Sequence, residues 1–191
     1  MLSVTRLLCG TATTSDALRY GRRAGKMPAH LLHFSEDKKP VVVWNCTRTC
    51  NLKCIHCYAN SRDEVYPGEL SSDEGRALLD DLAAFGVPAV LFSGGEPLLR
   101  HDIFEMAAYA KSLGMRAVLS TNGLLIDEST ADRIKEVGFS YVGISLDGLE
   151  SVHDKVRGVK GAFRGSIEGI RRCRERDIRI GLRYKIGRAH V

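Results

Sequence analysis

The chain has 191 residues, of which 44% are hydrophobic and 27% charged, and its formal net charge is +5. These values are close to the average for globular domains, which excludes a disordered chain and a collagen-like repeat. Apolar runs such as Val41–Trp44 and Ala89–Phe92 are far shorter than the roughly 20 residues that span a bilayer. The N-terminus also lacks the pattern of a signal peptide. We therefore expect a cytoplasmic protein with no membrane partner.

The positive charge is concentrated near residues 19–26 and over residues 171–185. These stretches contain few aromatic residues for base stacking, and the chain carries no DNA- or RNA-binding motif. We therefore expect no nucleic-acid partner. A solvated face, or a surface that attracts an anionic substrate, accounts better for the charge.

Short apolar strands alternate with helices from residue 41 onward, whereas residues 1–40 show no sustained periodicity and are interpreted as an N-terminal extension. The predicted strands are Val41–Cys46, Ala89–Ser93, Arg116–Ser120, Tyr141–Leu146 and Ile178–Lys185. The predicted helices are Ser71–Phe85, Asp102–Leu113, Asp127–Val137 and Phe163–Arg176. This alternation predicts an α/β fold with a parallel sheet covered by helices.

Two amphipathic patterns support these elements. In the first helix, Ser71 or Ser72 is expected to cap the N-terminus. Four apolar residues of that helix are predicted to share one face, namely Leu78, Leu79, Leu82 and Phe85. In the last strand, alternate residues are predicted to share one side, namely Ile178, Ile180, Leu182 and Tyr184. Both patterns predict which side chains lie on the same face of their element.

Polar, glycine-rich segments follow each of the first four predicted strands. They are the cysteine-rich segment after strand one, Ser93–Pro97, Ser120–Asn122 and Ser145–Gly148. The carboxyl ends of parallel strands meet at one edge of a sheet, and that edge is where α/β proteins bind ligands. We therefore expect these segments to form one site.

Four of the six cysteines fall within twelve residues, and three of them, Cys50, Cys54 and Cys57, have the spacing CxxxCxxC. Three thiolates on one loop can hold three corners of a cubane iron–sulfur cluster and leave one iron open. A zinc site completed by His56 or Cys46 is the alternative. The spacing favours the cluster, because zinc sites usually draw a second ligand pair from another loop. Cys46 itself is interpreted as a buried strand residue.

The CxxxCxxC segment after strand one, followed by Gly94-Gly95-Glu96-Pro97 after strand two, resembles the radical S-adenosylmethionine (SAM) superfamily over about residues 41–185. The resemblance implies a partial (β/α) barrel, here ending after about five parallel strands. It also implies a [4Fe-4S] cluster on the three cysteines, with SAM bound to the fourth iron. Reductive cleavage of SAM in that superfamily yields a 5′-deoxyadenosyl radical that abstracts a substrate hydrogen, so the cofactor carries the chemistry.

The resemblance further implies SAM contacts at the strand ends. The segment from Gly94 to Pro97 corresponds to the motif that binds the SAM ammonium through Gly94, Gly95 and Glu96. The other positions with an implied SAM contact are Ser120, Asn122, Ser145, Asp147 and Arg157, with Arg157 pairing with the SAM carboxylate. His56 occupies a position often filled by an aromatic residue beside adenine, and Tyr58 is expected to pack there too. For His153, a loop or cap residue and a substrate contact both remain open.

The flanking segments narrow the resemblance to the haem-biosynthesis branch of the superfamily. These segments are Leu18–Gly21, Pro28–Leu32, Phe34–Lys39 and Pro40–Asn45. The branch implies a siroheme-derived tetrapyrrole that loses acetate side chains, as in didecarboxysiroheme deacetylation, and a flavodoxin- or ferredoxin-type electron donor. A peptide-modifying radical SAM enzyme and a non-catalytic metal-binding module are the alternatives.

The last six residues, 186–191, have neither a helix cap nor periodicity and resemble the translation of a sequencing adapter. We interpret them as a non-native tail and exclude them from the fold. Enzymes of this family have a sixth strand and a further C-terminal region. The chain is therefore expected to be a fragment: an extension over 1–40, an incomplete core over 41–185 and the tail.

Overall fold

A computed structural model describes residues 39–184, and those from Pro40 onward belong to one unit. The predictions for the N-terminal extension, for Lys185 and for the tail over 186–191 lie outside the described residues. None of the helices in the described part of the chain is long and apolar enough to cross a membrane.

Five strands form one parallel sheet in the order β1-β2-β3-β4-β5. They are β1 (Val42–Thr47), β2 (Ala89–Gly94), β3 (Arg116–Thr121), β4 (Tyr141–Ser145) and β5 (Ile180–Arg183). Each strand pairs with the next strand along the chain. Every connection therefore advances by one strand in the same direction across the sheet, as in a (β/α) barrel. The predicted parallel α/β fold of a partial barrel is confirmed.

Helices connect the strands and cover the sheet. They are α1 (Ser72–Phe85), α2 (Ile103–Ser112), α3 (Glu128–Val137), α4 (Glu150–Arg157) and α5 (Ala162–Glu175), with a 3₁₀ turn at Pro97–Leu99. Ser71 caps α1 in a reciprocal arrangement with Glu74, and Gly86 ends it in the left-handed conformation. Helix α4 was not predicted, because it has eight residues and His153 is the one buried among them.

The core lies between the sheet and the helices. Trp44, Phe92 and Leu119 come from the strands, and Leu79 and Met106 pack against them from α1 and α2. Phe85, which the sequence places on the apolar face of α1, does not enter the core. Its side chain is 56% exposed, because it is the last residue of the helix, directly before the turn at Gly86.

Strand β5 is shorter than predicted, and its apolar side chains divide into two groups. Ile178 is buried in the core, and Ile180 is half-buried and packs against it. Leu182 and Tyr184 are each 61% exposed. Of the four residues in the predicted alternation, Ile178 and Ile180 therefore contribute to the core, and Leu182 and Tyr184 do not.

Candidate functional site

The carboxyl ends of all five strands open into one cavity of about 420 Å³. Its lining includes all three thiols of the CxxxCxxC segment, Cys50, Cys54 and Cys57. It also includes eight of the ten predicted SAM contacts, namely Tyr58, Gly94, Gly95, Ser120, Asn122, Ser145, Asp147 and Arg157. Glu96 and Pro97 are not among the lining residues. The structure thus brings together most of the residues that the sequence places at separate strand ends.

Backbone hydrogen bonds fix the cysteine loop against the end of α4. The Lys53 N–H donates to the Arg157 carbonyl at 3.1 Å, and the Ile55 N–H donates to the Val156 carbonyl at 2.9 Å. Gly158 ends α4 with a φ of +69°, and a Cβ at this position would overlap the Lys53 carbonyl oxygen. The unpredicted helix therefore acts as a support for the loop between Cys50 and Cys57.

The glycine pair after β2 is required by a second close approach of the chain. A Cβ on Gly94 would overlap the Thr47 carbonyl oxygen, and a Cβ on Gly95 would overlap that of Thr49. The Gly95 N–H donates to the Thr47 carbonyl at 2.8 Å, and the Glu96 N–H donates to the Thr49 carbonyl at 2.9 Å. The glycines therefore let the start of the cysteine loop cross directly over the end of β2.

The three thiols differ in their acidity. Burial raises the pKa of Cys50 to about 11. Burial also raises the pKa of Cys54, although the neighbouring Arg157 opposes the increase. At Cys57 burial acts in the same direction, but hydrogen bonds from the loop, first among them that of Ser61, outweigh it and lower the pKa. Metal binding by Cys50 and Cys54 would therefore release protons.

The donor set fits a cubane cluster. Three soft thiol ligands line one cavity from a single loop, as a cluster with one open iron requires. Hydrogen-bond donors already face two of them: Arg157 Nη1 lies 3.7 Å from Cys54 Sγ, and the Ser61 N–H lies 3.3 Å from Cys57 Sγ. Within residues 39–184, no three His, Cys, Asp or Glu side chains converge on one point as the ligands of a single metal ion do.

Cys46 lies apart from this set. It is 3% exposed, does not line the cavity, and its thiol donates to the Ser93 carbonyl at 3.2 Å. Burial raises its pKa to about 12, so the neutral thiol is strongly favoured. These observations agree with the prediction of a buried strand residue.

Glu96 differs from its predicted place in the site. Its side chain is fully buried beneath the cavity. The carboxylate accepts hydrogen bonds from Thr121 Oγ1 at 2.7 Å, from the Asn122 N–H at 2.8 Å and from the Leu98 N–H at 3.1 Å. Burial raises its pKa to about 7 despite these donors. The carboxylate does not line the cavity in this placement, and its contact with the SAM ammonium stays a prediction.

Pro97 also lies outside the cavity lining. It is buried and occupies the first position of the 3₁₀ turn, where its missing N–H costs no hydrogen bond. Pro97 therefore contributes to the motif by starting the turn that sets the direction of the chain after Glu96.

Asp147 and Arg157 form an ion pair in the cavity wall. Arg157 Nη2 lies 2.7 Å from Asp147 Oδ2, and the two side chains are 12% and 6% exposed. His56 Nε2 lies 3.8 Å from the same carboxylate oxygen. Arg157 thus connects the cysteine loop, through Cys54, to the end of β4.

His153 is buried behind the cavity wall and supports Asp147 from there. It is 1% exposed, and its Nδ1 accepts a hydrogen bond of 3.1 Å from the Asp147 N–H. The ring packs edge-on against Phe163. Burial lowers its pKa, which keeps the imidazole neutral and able to accept. Of the two alternatives that the sequence left open, a substrate contact is not supported by this placement.

Further polar contacts complete the wall at the ends of β1 and β3. The Asn122 side-chain amide donates to Asn51 Oδ1 at 2.7 Å, and the exposed Tyr58 hydroxyl donates to Asn45 at 3.1 Å. Ser93 and Thr121 also line the cavity, within the segments predicted to form the site. The lining residues that the sequence analysis missed are Leu52, Ser61, Arg183 and Tyr184. Arg183 and Tyr184 could have been found, because they end the fifth strand at the same edge.

The fold and the cavity, with three thiols and a glycine pair at successive strand ends, define a protein that binds an iron–sulfur cluster together with an organic cofactor. The family model of the radical SAM superfamily matches residues 44–187, and the chain belongs to that superfamily. The superfamily uses a [4Fe-4S] cluster and SAM.

Among curated proteins, the chain is 58% identical over 191 residues to Fe-coproporphyrin III synthase of Methanosarcina barkeri. That alignment covers 100% of this chain and 48% of the relative. The chain is also 51% identical over 148 residues to pre-heme d1 synthase of Dinoroseobacter shibae, covering 78% and 37%. It therefore spans about half the length, or less, of these relatives. The solved structure of anSMEcpe with bound AdoMet has a similar fold, with a TM-score of 0.63, 24% identity and coverage of 74% and 42%.

Proposed function

We propose that this chain is the SAM-cleaving core of a radical SAM enzyme of haem biosynthesis. The observation that carries the proposal is the cavity in which Cys50, Cys54 and Cys57 meet the ends of all five strands. The similarity to two tetrapyrrole synthases supports the assignment to the haem branch. When bound, the cluster and SAM supply a 5′-deoxyadenosyl radical that abstracts a hydrogen atom from the substrate.

The chain's own residues would bind and orient SAM. The three cysteines would hold the cluster, and Gly94 and Gly95, which line the cavity, would bind the ammonium group of SAM. Arg157 offers a charge-assisted hydrogen bond to the SAM carboxylate while it remains paired with Asp147. The other polar groups along the wall, Tyr58, Ser120, Asn122 and Ser145, hold the adenosine and methionine parts. Glu96 and Pro97 act as positioning residues beneath this surface.

We propose a siroheme-derived tetrapyrrole as the substrate, with loss of its acetate side chains as the reaction. The chain's similarity to Fe-coproporphyrin III synthase supports a tetrapyrrole. Its net charge of +5 suits a substrate that carries several carboxylates. A flavodoxin- or ferredoxin-type protein would deliver the electron. A cytoplasmic location belongs to the same proposal, because the thiols must stay reduced to bind the cluster.

Cysteine variants of the reconstituted protein test this function. Replacing Cys50, Cys54 or Cys57 with alanine should abolish both the absorbance near roughly 400 nm that is typical of such a cluster and reductive SAM cleavage. Cys46→Ala and Cys173→Ala are matched controls, because both thiols are buried outside the cavity. Loss of the cluster in Cys46→Ala with retention in Cys50→Ala would contradict the ligand assignment.

Turnover separates the proposed substrate from the alternatives. An enzyme of the haem branch converts didecarboxysiroheme to iron coproporphyrin when SAM and reductant are present. A peptide-modifying enzyme would cleave SAM without changing the tetrapyrrole. A non-catalytic metal-binding module would bind metal and leave SAM intact.

A further inference from the structure

The inner face of the sheet at β4 and β5 carries an arginine that the proposed SAM site does not use. Arg183 pairs in register with Ser145, and both residues line the cavity. The Arg183 side chain lies directly across Gly143, where any Cβ would overlap it. Gly143 therefore provides the space through which the guanidinium group reaches the cavity.

The two arginines of the cavity differ in their charge balance. Arg157 is neutralised by Asp147 at 2.7 Å. Arg183 has no carboxylate within salt-bridge distance among residues 39–184. A guanidinium group in a concave site without a protein counter-charge attracts an anion, and its planar fork matches a carboxylate.

Arg183 reaches the cavity from β5, the last strand of the sheet. The cysteine loop follows β1 and is fixed to α4, whereas Arg183 ends β5 at the opposite edge of the sheet. Tyr184 lines the cavity beside it and is 61% exposed, so it presents a flat aromatic ring at the opening. An aromatic ring next to a cation suits a large planar molecule with acidic side chains.

We propose that Arg183 binds a carboxylate side chain of the tetrapyrrole substrate and that Tyr184 packs against the macrocycle. Arg183 is then a specificity-determining residue, which selects substrates by their acidic side chains. This assignment rests on the proposed function, because it needs a tetrapyrrole in the cavity.

Binding measurements on the reconstituted full-length protein test the assignment without turnover. The variants are Arg183→Gln and Arg183→Lys, and Arg179→Gln is the matched control, because Arg179 is exposed just before the start of β5 and does not line the cavity. The ligands are iron coproporphyrin III and its tetramethyl ester, titrated by their visible absorbance, together with a separate titration of SAM.

We expect Arg183→Gln to weaken binding of the acid by about tenfold or more and to leave binding of the ester nearly unchanged, since a charge-assisted bond is lost only with the carboxylate. Arg183→Lys should recover part of the loss. SAM affinity and SAM cleavage without substrate should match the wild type in Arg179→Gln.

Two results would overturn the assignment of Arg183 alone: equal weakening of acid and ester, or a loss of SAM affinity with unchanged tetrapyrrole affinity. Failure of the wild-type protein to bind either tetrapyrrole would instead overturn the proposed function, and the assignment with it.

Discussion

Two buried carboxylates, Glu96 after β2 and Asp147 after β4, occupy similar places at the edge of the same sheet and have different surroundings. Glu96 is fully buried and accepts only from uncharged donors, Thr121, Leu98 and Asn122. Asp147 lines the cavity and pairs with the arginine of α4. An acidic residue in a binding motif can thus build the site from beneath or form its surface.

The difference follows from the chain path after each strand. After β2 the backbone turns inward at Gly95 and starts a 3₁₀ turn, so the Glu96 side chain caps that turn and bridges to β3. After β4 the chain leaves the sheet toward α4, which returns Arg157 to the cavity opposite Asp147. The motif glutamate therefore holds two strand ends together, and Asp147 orients the arginine.

The largest effect is expected for Glu96→Ala. Removing the carboxylate leaves three donors without their acceptor and opens a cavity, so we expect the free energy of unfolding to fall by about 3–4 kcal/mol. Denaturant unfolding measures this loss. Glu136→Ala on the exposed side of α3 is the control, and its unfolding free energy should stay within about 0.5 kcal/mol of the wild type. Equal stability of the two variants would contradict the claim that the Glu96 carboxylate stabilises the fold.

The next effect is expected for Arg157→Gln, measured as SAM affinity. The variant loses the charge-assisted bond to the SAM carboxylate, which corresponds to roughly ten- to a hundred-fold weaker binding. Arg164→Gln is the control, because that arginine is 78% exposed and pairs with Glu150 on the surface. Unchanged SAM affinity in Arg157→Gln would show that Arg157 pairs with Asp147 and does not contact SAM.

The third expected effect is a pH dependence of the unfolding free energy, caused by the buried carboxyl group of Glu96. Its pKa is raised from 4.5 to about 7 in the folded protein, so the folded state binds this proton more tightly than the unfolded state does. The stabilisation is full below about pH 4.5 and declines as pH rises toward 7, by about 1 kcal/mol per unit. Glu96→Gln removes the decline, so the stability of the wild type relative to the variant should fall between about pH 5 and pH 7. A constant or rising difference would contradict the raised pKa.

The smallest effect is expected behind Asp147, at His153. His153→Asn keeps an acceptor near the Asp147 N–H, whereas His153→Leu has a similar volume and leaves that donor unpaired. We expect the leucine variant to be less stable than the asparagine variant by about 1 kcal/mol in denaturant unfolding. The reverse order would show that packing against Phe163, rather than the hydrogen bond, sets the role of this imidazole.

The sequence predicted the strands, the parallel sheet and the edge that carries the site, because apolar periodicity and terminal glycines are local signals. It did not predict α4, whose eight residues bury one side chain. The burial of Glu96 was also missed, since two of its donors, Thr121 at the end of β3 and Asn122 directly after it, are 25 and 26 residues away and no local pattern encodes that pairing. Arg183 was missed as a site residue although it ends the fifth strand at the same edge, but its register with Ser145 on β4 is set by pairing that no local pattern encodes.

The most direct test of the contrast between the two carboxylates is SAM titration of cluster-loaded Glu96→Gln and Arg157→Gln, with unfolding free energies measured on the same samples. If Glu96 supports the site from beneath, Glu96→Gln loses stability and still binds SAM within about threefold of the wild type, while Arg157→Gln binds it about tenfold or more weakly. A Glu96→Gln protein with wild-type stability and SAM binding about tenfold weaker would show instead that the buried carboxylate contacts the cofactor itself.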